Sequence, residues 1–312
     1  MRKTALLFAG QGAQVVGMGR DLAASFPSAR AWFDRANSEL GGDLAAVCFN
    51  GPDAELTRTE YAQPGIFLVS WVAFQLLKER VPGLNFEAAA GLSLGEFTAL
   101  TVAGAMCFED GLRVVRQRGR YMQEACEATR GGMTAIIGLD EALAREVCAH
   151  AGVELANLNC PGQIVISGEL EKIRRAGELA GVKGAKRALP LPVAGAYHSK
   201  LMSGAQTKLQ ATLASVPIRP PSVTVISNVT ARPHGSVAEI PPLLVRQVTA
   251  PVRWEESMRY LVAQGFTRFI ELGPGTTLSG FMKRIDKRAE MFNVADVTSL
   301  KETVKALGGR EA

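Results

Sequence analysis

The pentapeptide GLSLG at residues 91–95 is the first stretch whose residue types and spacing could do chemistry, and it follows the small apolar run Ala88–Ala90. It fits the G-x-S-x-G pattern, in which a serine on a strand-to-helix turn is a nucleophile. The glycines would relieve crowding between strand and helix, and the helix N-terminus would offer free N–H groups to an oxyanion. The pattern is short, and Ser93 could equally be a helix N-cap.

A serine nucleophile needs a neighbouring base, and the sequence has three histidines. His150 lies at the end of a predicted helix, which favours a surface position. His234 lies in the polar turn Thr230–Gly235, so we expect it to be exposed to solvent. His198 follows Val193–Tyr197, where the chain would re-enter a larger domain, and clefts form at such junctions. By elimination His198 is the best base, the alternative being a hydrogen-bonded structural histidine.

An α/β-hydrolase would also place an Asp or Glu between the serine and the histidine in chain order. The acids between Ser93 and His198, such as Glu141, Glu146 and Glu171, fall mostly on predicted helix surfaces. None of them is marked out as a third catalytic residue. A Ser-His dyad that is oriented by backbone carbonyls is therefore an open alternative to a triad.

A glycine loop, Gly10–Gln14, follows the predicted first strand and lies at the same sheet edge as Ser93. Its backbone N–H groups could pair with that of Leu94 around an acyl oxygen. The competing interpretation is a dinucleotide-binding G-x-G-x-x-G loop. Val15 stands where the third glycine is needed, which argues against that interpretation.

Four arginines follow Ser93 on one predicted helix: Arg113, Arg116, Arg118 and Arg120. We expect three of them to face solvent. One that turned into the cleft would hold a carboxylate bidentately and would select a dicarboxylic acyl group. Their spacing alone does not say which one this is.

The elements that must position these residues alternate along the chain. We predict strands at 4–9, 86–90, 222–227 and 266–272 and helices at 21–40, 64–79, 96–103 and 110–127. This order indicates a parallel sheet covered on both faces. Residues 133–191 instead show the order βαββαβ, which is the ferredoxin-like pattern. We therefore predict a large α/β domain over 1–130 and 195–312 that is interrupted by a small subdomain over 131–194, with the site between them.

The bulk composition is that of a globular protein of 312 residues, with 47% hydrophobic and 21% charged residues. The net charge is +5, and the basic clusters Lys183–Arg187 and Lys283–Arg288 lack the interleaved aromatic residues of nucleic-acid sites. Each cluster is either solvated surface or a docking patch for an acidic partner. We expect no nucleic-acid partner.

Compartment and metal binding follow from the cysteines and from the apolar runs. Five cysteines without C-x-x-C spacing and only three histidines predict no zinc site and reduced thiols in the cytoplasm. The start, Met1–Gly10, superficially resembles a signal peptide, but its apolar run is only one strand long. No run is long enough to span a membrane.

Taken together, six stretches resemble the malonyl-CoA:acyl carrier protein transacylase family. They occur in the family's order, from the first strand almost to the C-terminus, and are more specific in combination than singly. They are Phe8–Gln14, Gly91–Glu96, Arg116–Gln123, Ala196–Ser199, Leu244–Gln247 and Glu271–Gly275. The resemblance implies an α/β-hydrolase-like large domain with a parallel sheet core and an inserted ferredoxin-like subdomain.

The resemblance also implies the reaction and its residues. Ser93 would be acylated by malonyl-CoA and would pass the malonyl group to the phosphopantetheine thiol of acyl carrier protein in a ping-pong reaction, for fatty-acid or polyketide synthesis. His198 would act as general base and then acid. The N–H groups of Gln11 and Leu94 would form the oxyanion hole, and Arg118 would pair with the malonyl carboxylate. No metal or redox cofactor would be needed, and nothing demands more than a monomer.

Further positions are assigned by the same resemblance. Gln247 lies where the family supplies a backbone carbonyl that orients the histidine, and Met122 and Tyr197 would line the acyl pocket. Tyr197 would crowd an α-methyl branch, which favours malonyl over methylmalonyl. Leu92 is a departure, because the family usually has histidine there; the chemistry should survive, but elbow packing or thioester binding would differ.

Two other functions share some of these features. A serine hydrolase such as a thioesterase would use the same elbow and histidine but would release the acyl group to water. A non-catalytic module that docks carrier proteins would need neither. The presence of Ser93, His198 and Arg118 together argues against the non-catalytic module.

Overall fold

The computed structural model describes residues 2–310, and within them nine strands form two sheets. The strands are β1 (Lys3–Phe8), β2 (Ala88–Gly91), β3 (Gly131–Ile137), β4 (Glu154–Cys160), β5 (Gln163–Glu169), β6 (Arg187–Pro190), β7 (Thr224–Ile226), β8 (Phe266–Leu272) and β9 (Glu290–Val294). The helices are α1 (Arg20–Ser25), α2 (Pro27–Leu40), α3 (Leu44–Asn50), α4 (Asp53–Leu56), α5 (Thr59–Arg80), α6 (Gly95–Val102), α7 (Phe108–Ala128), α8 (Glu141–Ala151), α9 (Leu170–Val182), α10 (Ser203–Leu213), α11 (Ile240–Gln247), α12 (Trp254–Ala263), α13 (Thr277–Ile285) and α14 (Val297–Ala306). Short 3₁₀ helices cover Lys200–Met202 and Val237–Glu239.

The first sheet is parallel, with the strand order β7-β2-β1-β8-β9. Phe8 at the end of β1 lies opposite Gly91 of β2 and Leu272 of β8, so these strands end at one edge. The residues that follow them, Gly10–Gln14 and Ser93, are thereby brought side by side. The predicted α/β fold class with a parallel core is confirmed.

This sheet separates two hydrophobic cores, because successive side chains of a strand point to opposite faces. On β1, Leu6 and Phe8 belong to the larger core, which α5, α6 and α7 help to cover. Ala5 and Leu7 belong to the smaller one, which is filled largely from α12 and α13 and includes the fully buried Trp254. All four strand residues are 0% exposed, which explains why β1 reads as a continuous apolar run.

The second sheet is antiparallel, with the order β4-β5-β3-β6, and α8 and α9 pack on it over a third core. This is the strand order of the predicted ferredoxin-like unit. Two backbone hydrogen bonds join its strand β4 to the segment before α12: Leu158 N–H donates to Val252 O at 2.9 Å, and Val252 N–H donates to Ala156 O at 2.8 Å. The domain boundaries at 131 and 194 stay a prediction.

Several elements differ from the sequence-based expectations. The helix predicted over 21–40 is two helices, since Phe26 is extended and Pro27 begins α2. Proline is favoured at the first position of a helix and disfavours a helical residue before it. Four elements were not predicted from the sequence: α3, α4, β9 and α14. Strand β9 is only partly buried at the sheet edge, so its hydrophobic pattern is weak.

The described chain shows neither a membrane-spanning helix, nor a disulfide, nor a metal-binding cluster. In the described part of the chain, no helix is long and apolar enough to cross a membrane. All five cysteines are unpaired, and Cys107 alone among them is exposed. No group of three or more His, Cys, Asp or Glu side chains within residues 2–310 is placed to hold a metal ion.

Candidate active site

The elbow at residues 91–95 is a tight turn between β2 and α6. Ser93 has a φ of 55°, a left-handed conformation that is uncommon and strained for a residue with a side chain. A Cβ on Gly91 would overlap the backbone of Gly95, and a Cβ on Gly95 would overlap Phe8 O. Both glycines are therefore required for strand and helix to meet at this angle, which holds the serine at the sheet edge.

The Ser93 hydroxyl lies between a base and a cation. Its Oγ is 2.9 Å from His198 Nε2, and Arg118 Nη2 donates a hydrogen bond to it at 3.0 Å. Because a guanidinium can only donate, the hydroxyl proton is left free to point at the histidine. Geometry thus prepares Ser93 to give its proton to His198.

The other side of the His198 ring faces backbone carbonyls. Nδ1 lies 2.9 Å from Gln247 O and 3.1 Å from Ala250 O, so Nδ1 carries the proton and Nε2 is free to accept. Burial and then the charge of Arg118 lower the pKa of His198 to about 4, although the two carbonyl contacts act to raise it. The imidazole is therefore neutral near pH 7 and able to take a proton.

Arg118 is 1% exposed on the inner face of α7. Its Nη1 donates to Gln63 Oε1 at 2.7 Å, its Nη2 also donates to Gln247 Oε1 at 3.0 Å, and its guanidinium lies over Phe97. Its Nε has no acceptor, and burial lowers its pKa to about 10, so it stays charged at neutral pH. The other three predicted arginines lie nearer the surface: Arg113, Arg116 and Arg120.

Two backbone donors near Ser93 are free. Neither Gln11 N–H nor Leu94 N–H donates to another group within residues 2–310. Gln11 lies in the loop after β1, and Leu94 precedes α6, so both follow strands that end at the same edge. Unsatisfied N–H groups at this place can hold an oxyanion.

A cavity of about 520 Å³ opens onto these residues between the two sheets. Leu92, Met122 and Tyr197 contribute to its wall, together with Asn157 and Asn159 of β4. Both asparagines are more than nine-tenths buried, and Asn159 Oδ1 has no hydrogen-bond partner in the described chain. The cleft therefore presents an unpartnered amide oxygen as well as apolar surface.

Tyr197 is held in place by the opposite wall. Its hydroxyl is 2.6 Å from Thr59 Oγ1 and accepts a hydrogen bond from Gln11 Nε2 at 3.2 Å. The residue is 6% exposed, and burial raises the pKa of the phenol. A neutral, fixed ring therefore limits the width of the pocket beside Ser93.

Gln63 was missed by sequence reasoning because the helix was predicted to begin at residue 64, whereas α5 begins at Thr59. Its side chain is 0% exposed, accepts from Arg118, and donates to Gln11 Oε1 at 3.2 Å and to Met122 Sδ at 3.4 Å. It therefore ties the glycine loop to the helix that carries the arginine.

Asn228 was also missed. Its Oδ1 accepts from Ser93 N–H at 2.6 Å, and its Nδ2 donates to Gly91 O at 2.7 Å, so one side chain clamps both arms of the elbow. It follows β7, whose Ile226 pairs with Ala90, so it lies at the expected edge. The end of the predicted strand at 222–227 was the signal that could have identified it.

The expectation for His234 is wrong. The residue is 8% exposed, and its Nε2 lies 2.8 Å from the carboxylate of Glu96, which is fully buried. Two backbone hydrogen bonds, from Ser227 N–H to Arg232 O and from His234 N–H to Val225 O, fold the polar turn back against the sheet. His150 lies exposed in the last turn of α8, away from the site.

Comparisons with known proteins agree with this architecture. A family model described as the acyl transferase domain matches residues 5–306. The malonyl CoA-acyl carrier protein transacylase of Bacillus subtilis is 43% identical over 312 residues, which cover 98% of each chain.

Solved structures are similar over nearly the whole chain. The malonyl CoA-acyl carrier protein transacylase of Coxiella burnetii superposes with a TM-score of 0.94 at 37% identity, covering 98% of each chain. A malonyl-transacylase in complex with a type II polyketide synthase acyl carrier protein gives a TM-score of 0.94 at 38% identity, with 97% of this chain and 99% of that chain covered. The chain belongs to the acyl transferase domain family, among the malonyl-CoA:acyl carrier protein transacylases.

Proposed function

We propose that the protein transfers a malonyl group from malonyl-CoA to the phosphopantetheine thiol of acyl carrier protein. The observation that carries this proposal is the buried Arg118, whose guanidinium lies 3.0 Å from the Ser93 hydroxyl. A buried cation needs an anionic partner, and its Nε has none in the described chain. An acyl group with a free carboxylate supplies that partner when it is attached to Ser93.

In the first half-reaction Ser93 Oγ attacks the thioester carbonyl of malonyl-CoA while its proton passes to His198 Nε2. The carbonyl oxygen becomes an oxyanion that the N–H groups of Gln11 and Leu94 stabilise. The C–S bond then breaks, and the leaving CoA sulfur takes the proton from His198. Malonyl-Ser93 remains, with its carboxylate on Arg118.

In the second half-reaction the pantetheine thiol of the carrier gives its proton to His198 and attacks the Ser93 ester. The same N–H groups hold the second oxyanion. The ester C–O bond breaks, and Ser93 Oγ recovers the proton from His198. Since an ester and a thioester are exchanged in both steps, the demands are positioning and charge stabilisation, which these residues supply without a metal or redox cofactor.

Both thioesters would enter through the same cleft. CoA and the carrier share a pantetheine arm with two secondary amides. The side chains of Asn157 and Asn159 line the cavity that leads to Ser93, and Asn159 Oδ1 has no partner in the described chain. An amide is a suitable partner for an amide, because each offers both an N–H donor and a carbonyl acceptor. The arm would therefore thread between the two sheets.

The partner and the compartment follow from charge and chemistry. Carrier proteins are acidic, and the net charge of +5 favours their association. A solved relative is a complex with an acyl carrier protein. Five unpaired thiols are compatible with the cytoplasm, where we place the reaction.

The test is a transfer assay with [¹⁴C]malonyl-CoA and phosphopantetheinylated carrier protein, in which labelled carrier and free malonate are measured separately. Label should accumulate on the carrier, and Ser93→Ala should form no labelled enzyme. Release of malonate to water in place of transfer would instead indicate a thioesterase. Absence of any labelled enzyme would exclude both.

A further inference from the structure

A second polar network lies beneath the elbow, on the side away from the cleft. Its centre is Glu96, in the first turn of α6, whose side chain is 0% exposed. Oε2 accepts from Gln247 Nε2 at 2.6 Å and from Asn228 N–H at 3.0 Å, and Oε1 faces His234 Nε2 at 2.8 Å. The proposed transfer mechanism uses neither Glu96 nor His234.

The link from Glu96 to Gln247 leads on to three groups of the site. Gln247 contacts His198 through its backbone oxygen, accepts from Arg118 through Oε1, and donates to Ser93 O at 2.9 Å through Nε2. A single carboxylate therefore fixes the residue that contacts base, cation and nucleophile.

Burial makes this arrangement demanding. A buried carboxylate without partners is strongly unfavourable, so its three hydrogen bonds must be kept together. The negative charge of Glu96 also acts to raise the pKa of Arg118, against the larger effect of burial. His234 supplies the contact on Oε1, and its Nδ1 has no acceptor within residues 2–310, so its ring serves Glu96 alone.

We propose that Glu96, held by His234, is a positioning residue for acyl transfer: it fixes Gln247 and through it the geometry of His198 and Arg118. This inference rests on the proposed function. It assigns Glu96 no contact with substrate and no proton transfer. What it requires is that loss of the carboxylate lets Gln247 move, so that the base and the cation lose their alignment with Ser93.

The test compares Glu96→Ala with Glu96→Gln in the CoA-release burst that reports acylation by malonyl-CoA. Both donors from Gln247 and Asn228 meet one carboxylate oxygen, so a glutamine oxygen can accept both. Its amide can then donate to His234 in the other ring tautomer. We expect Glu96→Ala to lose about 100-fold in acylation rate, as a displacement of about 1 Å does, and Glu96→Gln to lose less than about tenfold.

A second pair of variants, at His234, tests the contact between His234 and Glu96. This pair remains informative even if Glu96→Ala does not fold. His234→Leu removes the donor to Glu96, whereas His234→Gln can restore it. We expect the leucine variant to slow acylation and the glutamine variant to recover most of the rate, at melting temperatures that are matched between the two.

The outcomes separate this inference from the proposed function. Malonyl transfer by the unchanged protein tests the function on its own. With transfer established, a full rate in Glu96→Ala, or equal losses in both Glu96 variants, would overturn positioning by Glu96. Equal rates in both His234 variants would overturn the part assigned to His234.

Discussion

Arg118→Ala is the change that bears most directly on substrate choice. It removes the guanidinium that contacts Ser93 Oγ and leaves the malonyl carboxylate buried without this cation. Breaking a buried ion pair by removing one partner costs about 3 to 5 kcal/mol. At about 1.4 kcal/mol for each factor of ten, kcat/KM for malonyl-CoA should fall by a factor of about 10² to 4 × 10³.

Acetyl-CoA provides the internal reference, because an acetyl group has no carboxylate to lose. Acetyl transfer should fall much less than malonyl transfer in Arg118→Ala, so the ratio of malonyl to acetyl transfer should collapse. The assay measures both rates on the same carrier protein with radiolabelled acyl-CoA. Some loss common to both substrates is expected, since Arg118 also holds Gln63 and Gln247.

Arg116→Ala is the matched control. Arg116 lies two residues earlier on α7, donates to Glu60 O at 3.2 Å and stacks on Tyr61, away from the cleft. It should keep the full malonyl preference. An unchanged malonyl-to-acetyl ratio in Arg118→Ala, or an equal change in Arg116→Ala, would refute the assignment of the carboxylate site to Arg118.

Three further predictions concern the base and the pocket. Because the pKa of His198 is lowered to about 4 and its neutral form is the base, acylation should stay constant down to about pH 5 and halve near pH 4; a midpoint above pH 6 in the CoA-release profile would contradict this. Thr59→Val removes one of the two hydrogen bonds that hold the Tyr197 hydroxyl, so the preference for malonyl-CoA over methylmalonyl-CoA should fall by at most about tenfold, the smallest discrimination that one methyl group typically gives; identical ratios would show that the remaining contacts hold the ring. Asn159→Leu should raise KM for malonyl-CoA about tenfold but not for a short malonyl thioester without pantetheine amides, and equal shifts for both would exclude the amide contact.

The sheet edge was predictable from sequence because strands and glycine turns have strong local signals. The strand before Ser93 and the one before Gly10–Gln14 pair in parallel, as their apolar runs indicate. The same reasoning, extended to the predicted strand at 222–227, leads to Asn228. A residue that follows a parallel strand belongs to the edge where the site forms.

The burial of Arg118 could also have been predicted, from the helical spacing of the apolar residues in α7. The buried residues of α7 include Leu112, Val115, Gly119 and Met122, which recur at three- and four-residue spacing. Arg118 falls on that face, whereas an exposed arginine such as Arg120 does not. A charged residue on the apolar stripe of a helix is informative, because it must find a partner inside the protein.

The buried contact between Glu96 and His234 could not have been predicted from the sequence. They are 138 residues apart, and each lies in a segment that is typical of exposed structure, the first turn of a helix and a polar turn. Acidic residues are common in the first turn because they favour the helix dipole. Whether such a residue is buried depends on which element packs over it. The sequence around the residue does not specify that element.

The charges of the site explain why backbone carbonyls, and not a third catalytic carboxylate, contact His198 Nδ1. A carboxylate on His198 Nδ1 would stand where Gln247 O now lies, on a residue that also contacts Arg118, and its charge would compete with the substrate carboxylate for the guanidinium. The carbonyls of Gln247 and Ala250 orient the ring without a full charge, so Arg118 keeps its attraction for the malonyl group. The one buried carboxylate of the elbow, Glu96, is set back behind Gln247, where it can offset the guanidinium without facing the acyl pocket.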